Sequence, residues 1–264
     1  MNPLFFPVVA LAALLFVVGY RTGMRPAGAN ALVHGAAVLC ALPALLFAAY
    51  YLHLFDDAVW FYRFRSLPWS ELSASGAGAL AGLLYSWGMR KRLGLRVVIP
   101  ALLLLGLFVP YVKPLVAPLD SSLLAGRCLG GVCLQSTPST CGPSSVASIL
   151  RLFDIEETEK TLALEAYTTA GGTENWYLAR ALRRRGFPVE YLVADRPVAK
   201  LPHPAVAGVV LPGGAGHFIS VLGETEHAYI IGDPMVGRLD IPKSRLARAY
   251  DFTGFFMIVG KPKT

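Results

Sequence analysis

The chain is short of charge. Of its 264 residues, 16% are Asp, Glu, Lys or Arg and 55% are hydrophobic. The mean hydropathy of +0.52 is high for a soluble protein. The deficit is uneven, because the apolar excess lies before residue 118. The length allows one large domain or two modest ones, so this contrast predicts a membrane half and a soluble half. Cysteine is scarce as well: Cys40, Cys128, Cys133 and Cys141 are all there is. Neither a second cysteine pair nor a histidine pair stands by Cys128 and Cys133 to complete a metal site, so no metal and no cofactor is expected. A phosphate-binding Gly-x-x-x-x-Gly-Lys-Ser/Thr loop is also missing, and the chain is not expected to be an exporter by itself. Basic residues outnumber acidic ones by 24 to 17, for a net charge of +7. No basic patch is interleaved with aromatics, so nucleic acid is not an expected partner.

Four apolar runs fill residues 1–117. Pro3–Tyr20 is uncharged and long enough to span a bilayer. It lacks a basic stretch before it and a small-residue cleavage site before Arg21, which predicts a retained span rather than a signal peptide. Ala31–Phe55 is the second run, carrying His34, Pro43 and His53. Leu72–Trp87 is the third, and its Ser/Ala/Gly-rich start suits close helix packing. Val97–Ala117 is the fourth, with Pro100, Pro110 and Pro114 as candidate kinks and Lys113 placed to snorkel. Arg21 and Arg25 lie in the first link, and Arg90, Lys91, Arg92 and Arg96 in the third. The positive-inside rule puts those links in the cytoplasm of a bacterial cell (inner) membrane. Four spans then put the N-terminus and everything after residue 118 outside the cytoplasm. His34 and His53 read as packing or interfacial residues, and Cys40 as a small apolar residue inside a span.

Residues 118–127 read as a linker. Cys128 and Cys133 bound the sequence CLGGVC, a candidate short-loop disulfide outside the cytoplasm, with Gly130-Gly131 as its tight turn. Chemistry concentrates in the next stretch, QSTPSTCGPSSVASILRLF, from Gln135 to Phe153. Val146, Ile149, Leu150 and Phe153 recur at helical spacing with one buried face. Ser139 or Thr140 is placed to cap that helix, and Pro143 fits its first turn. Cys141 therefore falls at a helix N-terminus, where free N–H groups and the helix dipole favour a thiolate. Gln135, six residues upstream, is placed to donate an N–H to a developing oxyanion. A nucleophilic cysteine needs a base. His217 follows a glycine-rich turn and opens an apolar strand-like run, and Asp233 ends the next such run. Cysteine, histidine and aspartate in these places follow the nucleophile–base–orienter logic of a catalytic triad. His203 reads as a loop residue and His227 as an exposed turn residue.

Gln135 with Cys141-Gly142-Pro143, then His217-Phe218, then Asp233-Pro234, in that order, resemble the papain-like bacteriocin-processing peptidases. The resemblance runs from about Gly126 to Gly260. It implies peptide or protein substrates, among them double-glycine leader peptides, and a link to ABC exporters, here a separate protein. Relatives fused to exporters keep this domain in the cytoplasm, so the topology expected above differs from theirs. Thr140 also departs from many of them, which carry an acidic residue before the cysteine. Gly130-Gly131 lacks the hydrophobic leader helix that precedes a true double-glycine site.

The expected architecture is thus a four-span α-helical membrane region over 1–117 and an α+β papain-like cysteine peptidase domain over 128–264, a helical lobe followed by an antiparallel sheet. After the helix at Cys141, further helices are expected at Glu156–Tyr167 and, capped by Thr173, from Trp176 to a solvated Arg183-Arg184-Arg185 end with Gly186 as its stop. Strands are expected at 189–193, 205–211, 217–222, 229–231, 238–241 and 255–259, with a short helix at 242–250. The functional expectation is a membrane-anchored cysteine peptidase with Cys141, His217, Asp233 and Gln135 in its site. An acyl transferase or transpeptidase shares the same acyl-enzyme, and a non-catalytic peptide-binding maturation module shares the same groove.

Overall fold

The computed structural model describes residues 2–25, 31–50, 53–91 and 97–262. Tyr51 and Leu52 of the second apolar run, and Arg92 and Arg96 of the third link, lie outside the described residues. The chain divides into two compact units.

The first unit holds Met1–Asp56 and Pro68–Val116. Its helices are α1 (Phe5–Met24), α2 (Ala31–Tyr50), α4 (Ala77–Lys91) and α5 (Val98–Val116), with a 3₁₀ segment at Ser70–Gly76 leading into α4. Each of the four apolar runs thus contains one of these helices. By length and composition α1 and α2 are the two, among the described residues, fit to cross a membrane. With 15 residues, α4 is about 22 Å long, short of a hydrocarbon core of about 30 Å. The small residues of α4 let it approach α1, for a Cβ at Gly78 or Gly82 would run into the Ala12 or Phe16 carbonyl. Pro110 and Pro114 do not interrupt α5.

The second unit holds Ala117–Thr264 and also Asp57–Leu67, which contains the short helix α3 (Val59–Arg65). The sequence boundary at residue 117 had left that segment with the apolar half. A hairpin of β1 (Cys128–Leu129) and β2 (Val132–Cys133) opens the contiguous part. The helices α6 (Cys141–Arg151), α7 (Glu159–Glu165) and α8 (Asn175–Arg184) follow. Then come β3 (Val189–Val193), β4 (Ala205–Val210), β5 (Gly216–Glu224), β6 (Ala228–Asp233), β7 (Gly237–Pro242), the short helix α9 (Leu246–Ala249) and β8 (Asp251–Val259). The six long strands form one antiparallel sheet in the order β3-β8-β4-β5-β6-β7. One face carries a core of Ile219, Val221, Ile231 and Phe256, all fully buried. These are the apolar positions at every second residue that a half-buried strand requires.

The helices differ from expectation at their ends. At α6, Thr140 occupies the cap position, but its hydroxyl turns back to donate to the Thr137 carbonyl and leaves the helix end uncapped by a side chain. At α8 the cap position is Glu174, because the Thr173 hydroxyl is engaged with Thr168 at 2.7 Å. The second helix is shorter than expected and starts behind Thr158, whose hydroxyl accepts from the Thr161 N–H. The arginine end of α8 is solvated only in part, at the exposed Arg184. Arg185 pairs with Glu157 and Glu165, each at 2.7 Å, Arg184 pairs with Glu165, and Arg183 bonds backbone carbonyls.

Candidate functional site

Cys141 is the first residue of α6 and is buried. Two contacts fix that helix against β5. The Ser145 hydroxyl, one turn beyond Cys141 on the same face, donates to the Phe218 carbonyl at 3.1 Å. Gly142 supplies the second by having no side chain, because a Cβ there would meet Leu178 Cδ1 at 2.8 Å and Phe218 Cδ2 at 3.3 Å. The helix start thus seats directly beside the residue that follows His217.

His217 and Asp233 meet through strand register. Ser220 pairs with Gly232, so one step further Asp233 stands level with Ile219, two residues from His217 on the same face. The His217 Nε2 lies 3.1 Å from Asp233 Oδ1, with both side chains buried. That contact leaves Nδ1 for the sulfur, and the charge of Cys141 bears on the His217 ring as well. Burial alone would lower the His217 pKa. Its hydrogen bond to Asp233 and its interaction with Cys141 outweigh burial and raise it from 6.5 to about 9. Burial would raise Asp233, but hydrogen bonds from His217, Tyr250 and the Met235 N–H hold it below the usual carboxylate range.

Gln135 is tied into the same corner. Its backbone N–H donates to the Pro234 carbonyl at 2.9 Å, next to Asp233. One hydrogen of its side-chain amide is committed to the Thr137 carbonyl at 3.0 Å. The loop is held from behind by Glu159, a fully buried carboxylate that accepts from the Ser136 N–H at 2.7 Å and the Ser136 hydroxyl at 2.5 Å. The β1–β2 hairpin leads into this loop. A disulfide joins Cys128 to Cys133, and Gly130 and Gly131 make its turn with φ of +57° and +82°. The Cys133 N–H donates to the Ser148 hydroxyl of α6 at 2.8 Å. So the four residues singled out in the sequence converge on one corner of the unit.

Three residues at this corner gave no comparable sequence signal. Tyr250 donates to Asp233 Oδ2 at 2.6 Å, from a position that reads only as the end of a short helix. Glu159 looked like an ordinary first-turn helix acid. Ser145 was legible in principle, since it lies four residues after the cysteine on the same helix face. His203 and His227 are exposed, as expected of loop residues. Among the described residues no His, Cys, Asp and Glu cluster fit for a metal ion occurs.

A cysteine-led helix laid against an antiparallel sheet that carries a buried His–Asp pair is the arrangement of a papain-like cysteine peptidase. The chain belongs to the Peptidase C39 family, whose sequence model matches residues 131–264. It is similar to an uncharacterized protein of Methanothermobacter thermautotrophicus, 26% identical over 131 residues, covering 50% of this chain and 89% of that one. A second relative, from Methanothermobacter marburgensis, is 27% identical over 125 residues, covering 47% and 84%. Among solved structures, the peptidase domain of Streptococcus ComA, a bi-functional ABC transporter, matches at 24% identity and a TM-score of 0.42, over 49% of this chain and 96% of that domain. A double glycine motif protease from the AMS/PCAT transporter, in complex with its leader peptide, matches at 22% identity and a TM-score of 0.43, over 53% and 96%.

Proposed function

We propose that the chain is a membrane-anchored peptidase that cleaves exported or leader peptides of the double-glycine type through Cys141, His217 and Asp233, with Gln135 as oxyanion donor. The observation that carries this reading is the buried His217, held by Asp233 at 3.1 Å through Nε2, on the strand against which the helix opened by Cys141 is fixed. His217 takes the Cys141 proton, and the thiolate attacks the scissile carbonyl carbon. The carbonyl oxygen becomes an oxyanion within reach of the Gln135 amide and the free N–H groups that open α6. The C–N bond breaks as the His217 imidazolium protonates the leaving amine. Water, deprotonated by His217, then attacks the thioester and returns the thiol. Asp233 orients the ring and stabilises its cationic form.

The same reading assigns residues 1–117, apart from the segment folded into the peptidase unit, to four membrane spans, and residues 128–264 to the extracytoplasmic side beside a separate exporter. Two features support it: the positive first and third links, and the Cys128–Cys133 bond, which belongs to oxidising compartments. The test is turnover of fluorogenic peptides with small residues before the cleavage site, by wild type and Cys141→Ala. Loss of turnover together with loss of a Cys141 acyl adduct by mass spectrometry is the expected result. Unchanged cleavage by Cys141→Ala would sink the reading. A product joined to an added amine acceptor in place of the free acid would make the enzyme a transpeptidase.

A further inference from the structure

The segment Asp57–Leu67 sits in sequence between α2 and α4, yet its side chains are built into the peptidase unit. Phe61, Tyr62, Arg65 and Ser66 are all buried. The carbonyls at the end of α3, which no helix N–H can satisfy, take arginines of α8. Arg180 Nη2 donates to the Arg65 carbonyl at 2.5 Å. Arg183 Nη1 donates to the Ser66 carbonyl at 3.0 Å and to its hydroxyl at 2.6 Å, and Nη2 to the Val189 carbonyl at 3.0 Å. Apolar packing accompanies these bonds. The Phe61 ring meets Trp176 edge-on at 6.2 Å, and Tyr62 lies 5.1 Å from Phe255.

Both anchors lead to the site. The helix α8 that carries Trp176, Arg180 and Arg183 also carries Leu178, the side chain that bounds Gly142 next to Cys141. Phe255, on the other side, contacts Phe218 at 5.9 Å, next to His217. Release of α3 would therefore free the supports behind the cysteine and behind the histidine together. We propose that Asp57–Leu67 is a positioning element for the Cys141–His217 pair, so that the peptidase site is complete only with a segment drawn from between two apolar helices. The proposal rests on the roles given to Cys141 and His217 above. The segment touches no reacting atom and acts through Leu178 and Phe218.

The experiment uses the full-length chain in detergent or liposomes. It reads kcat and KM on the fluorogenic peptide, and the pH dependence of Cys141 alkylation by iodoacetamide. Tyr62→Ala is expected to lower kcat about tenfold or more with little change in KM, because misplacement of reacting groups is costly even when binding persists. Its alkylation profile is expected to differ from that of wild type, because His217 no longer stands in place beside the sulfur. Tyr62→Phe, which keeps the ring, should retain activity and profile, as should Arg63→Ala at an exposed position of the same helix. A loss of stability alone would lower the folded fraction and leave the profile of the folded enzyme where it was. Should Tyr62→Ala not fold, Arg183→Lys gives the same readout, since lysine keeps the charge but not the fork that holds Ser66. Wild-type kcat and alkylation profile in the folded variant would overturn the proposal while Cys141→Ala remains inactive. Turnover that survives Cys141→Ala would instead remove the peptidase reading itself.

Discussion

The Tyr250 hydroxyl donates to Asp233 Oδ2 across 2.6 Å, while Oδ1 of the same carboxylate faces His217. With the Met235 N–H also on Oδ1, both oxygens are engaged and the carboxylate has one orientation open to it. Tyr250 is suited to the task, because burial and the Asp233 charge push its own ionisation up and keep it a donor. Tyr250→Phe removes that bond and keeps the ring against Phe252. A hydrogen bond to a charged group contributes about 1.5–3 kcal/mol. We expect kcat to fall roughly threefold to thirtyfold, since only part of that energy is passed on to His217, with KM unchanged. Steady-state kinetics on the purified variant check it, and an unchanged kcat would show that Asp233 needs no such support.

The His217–Asp233 pair sets a pH dependence with a definite sign. In the folded protein the His217 pKa lies near 9, above its ordinary 6.5. The stabilisation it brings is therefore fully present below about pH 6.5 and is lost as the pH rises through about 9. Thermal melts should show Tm falling over that window. The fall should be smaller in Asp233→Asn, where the principal partner of the imidazolium is gone. Activity should follow, with an alkaline limb of kcat/KM near pH 9 as His217 loses the proton it gives to the leaving amine. Asp233→Asn should shift that limb to lower pH.

Division of labour within the site can be read from the same variants. His217→Ala should be as inactive as Cys141→Ala, because groups that act as a unit fail as a unit. Asp233→Asn should lose on the order of 10- to 100-fold, since a cysteine is partly ionised near neutrality and leans less on its orienter than a serine does. His203→Ala and His227→Ala, both exposed, should match wild type. Wild-type turnover by His217→Ala would mean that the base is another residue.

Much of the peptidase half was legible in the sequence because its signals are local. The spacing of Val146, Ile149 and Leu150 marks a helix with one buried face, and all three are buried. The glycine-rich turn before His217 and the alternation within β5 and β6 mark two strands, and two adjacent antiparallel strands bring Asp233 to within two residues of His217 on one face. The rest depends on partners far apart in the chain. Tyr250 reaches Asp233 over 17 residues, Glu159 reaches Ser136 over 23, and Arg180 reaches Arg65 over 115. No periodicity encodes such pairings. The capping expectations failed for a related reason. The hydroxyls of Thr140 and Thr173 had competing acceptors in the folded chain, and local propensity cannot see those.

The hairpin that leads into the Gln135 loop offers a test of compartment and of stability together. Its disulfide closes a loop of sequence separation 5, for which chain entropy gives about 2 kcal/mol. A Cys128→Ser, Cys133→Ser double variant should therefore melt roughly 4–8 °C lower. Its activity should fall more than its stability, because the Cys133 N–H is bonded to Ser148 of α6 and the loop carries Gln135. Peptide mapping without reductant should find the two cysteines joined in protein taken from the membrane. Free thiols there would count against an extracytoplasmic peptidase.

The last prediction concerns sidedness. Asp57–Leu67 and Ala117–Thr264 form one compact unit, joined by a buried hydrogen bond from Arg180 and part-buried ones from Arg183. No such unit can be divided by a hydrocarbon layer of about 30 Å, so both segments lie on one side of any membrane the chain spans. The number of crossings between Leu67 and Ala117 is then even. Either α4 and α5 both span or neither does, and where α1 and α2 both span a three-span arrangement is excluded. Within the proposed four-span arrangement, the basic residues beside α1 and α4 would put the shared side outside the cytoplasm. Single cysteines placed at exposed Arg63 and exposed Glu226 should therefore respond alike to a membrane-impermeant maleimide on intact cells. Both should label from outside, in a background where Cys40 and Cys141 are replaced by alanine. Labelling at both only after lysis would put the peptidase in the cytoplasm and leave the parity argument standing. Labelling at one position and not the other would break the unit apart, and with it the claim that the segment between two apolar helices belongs to the peptidase.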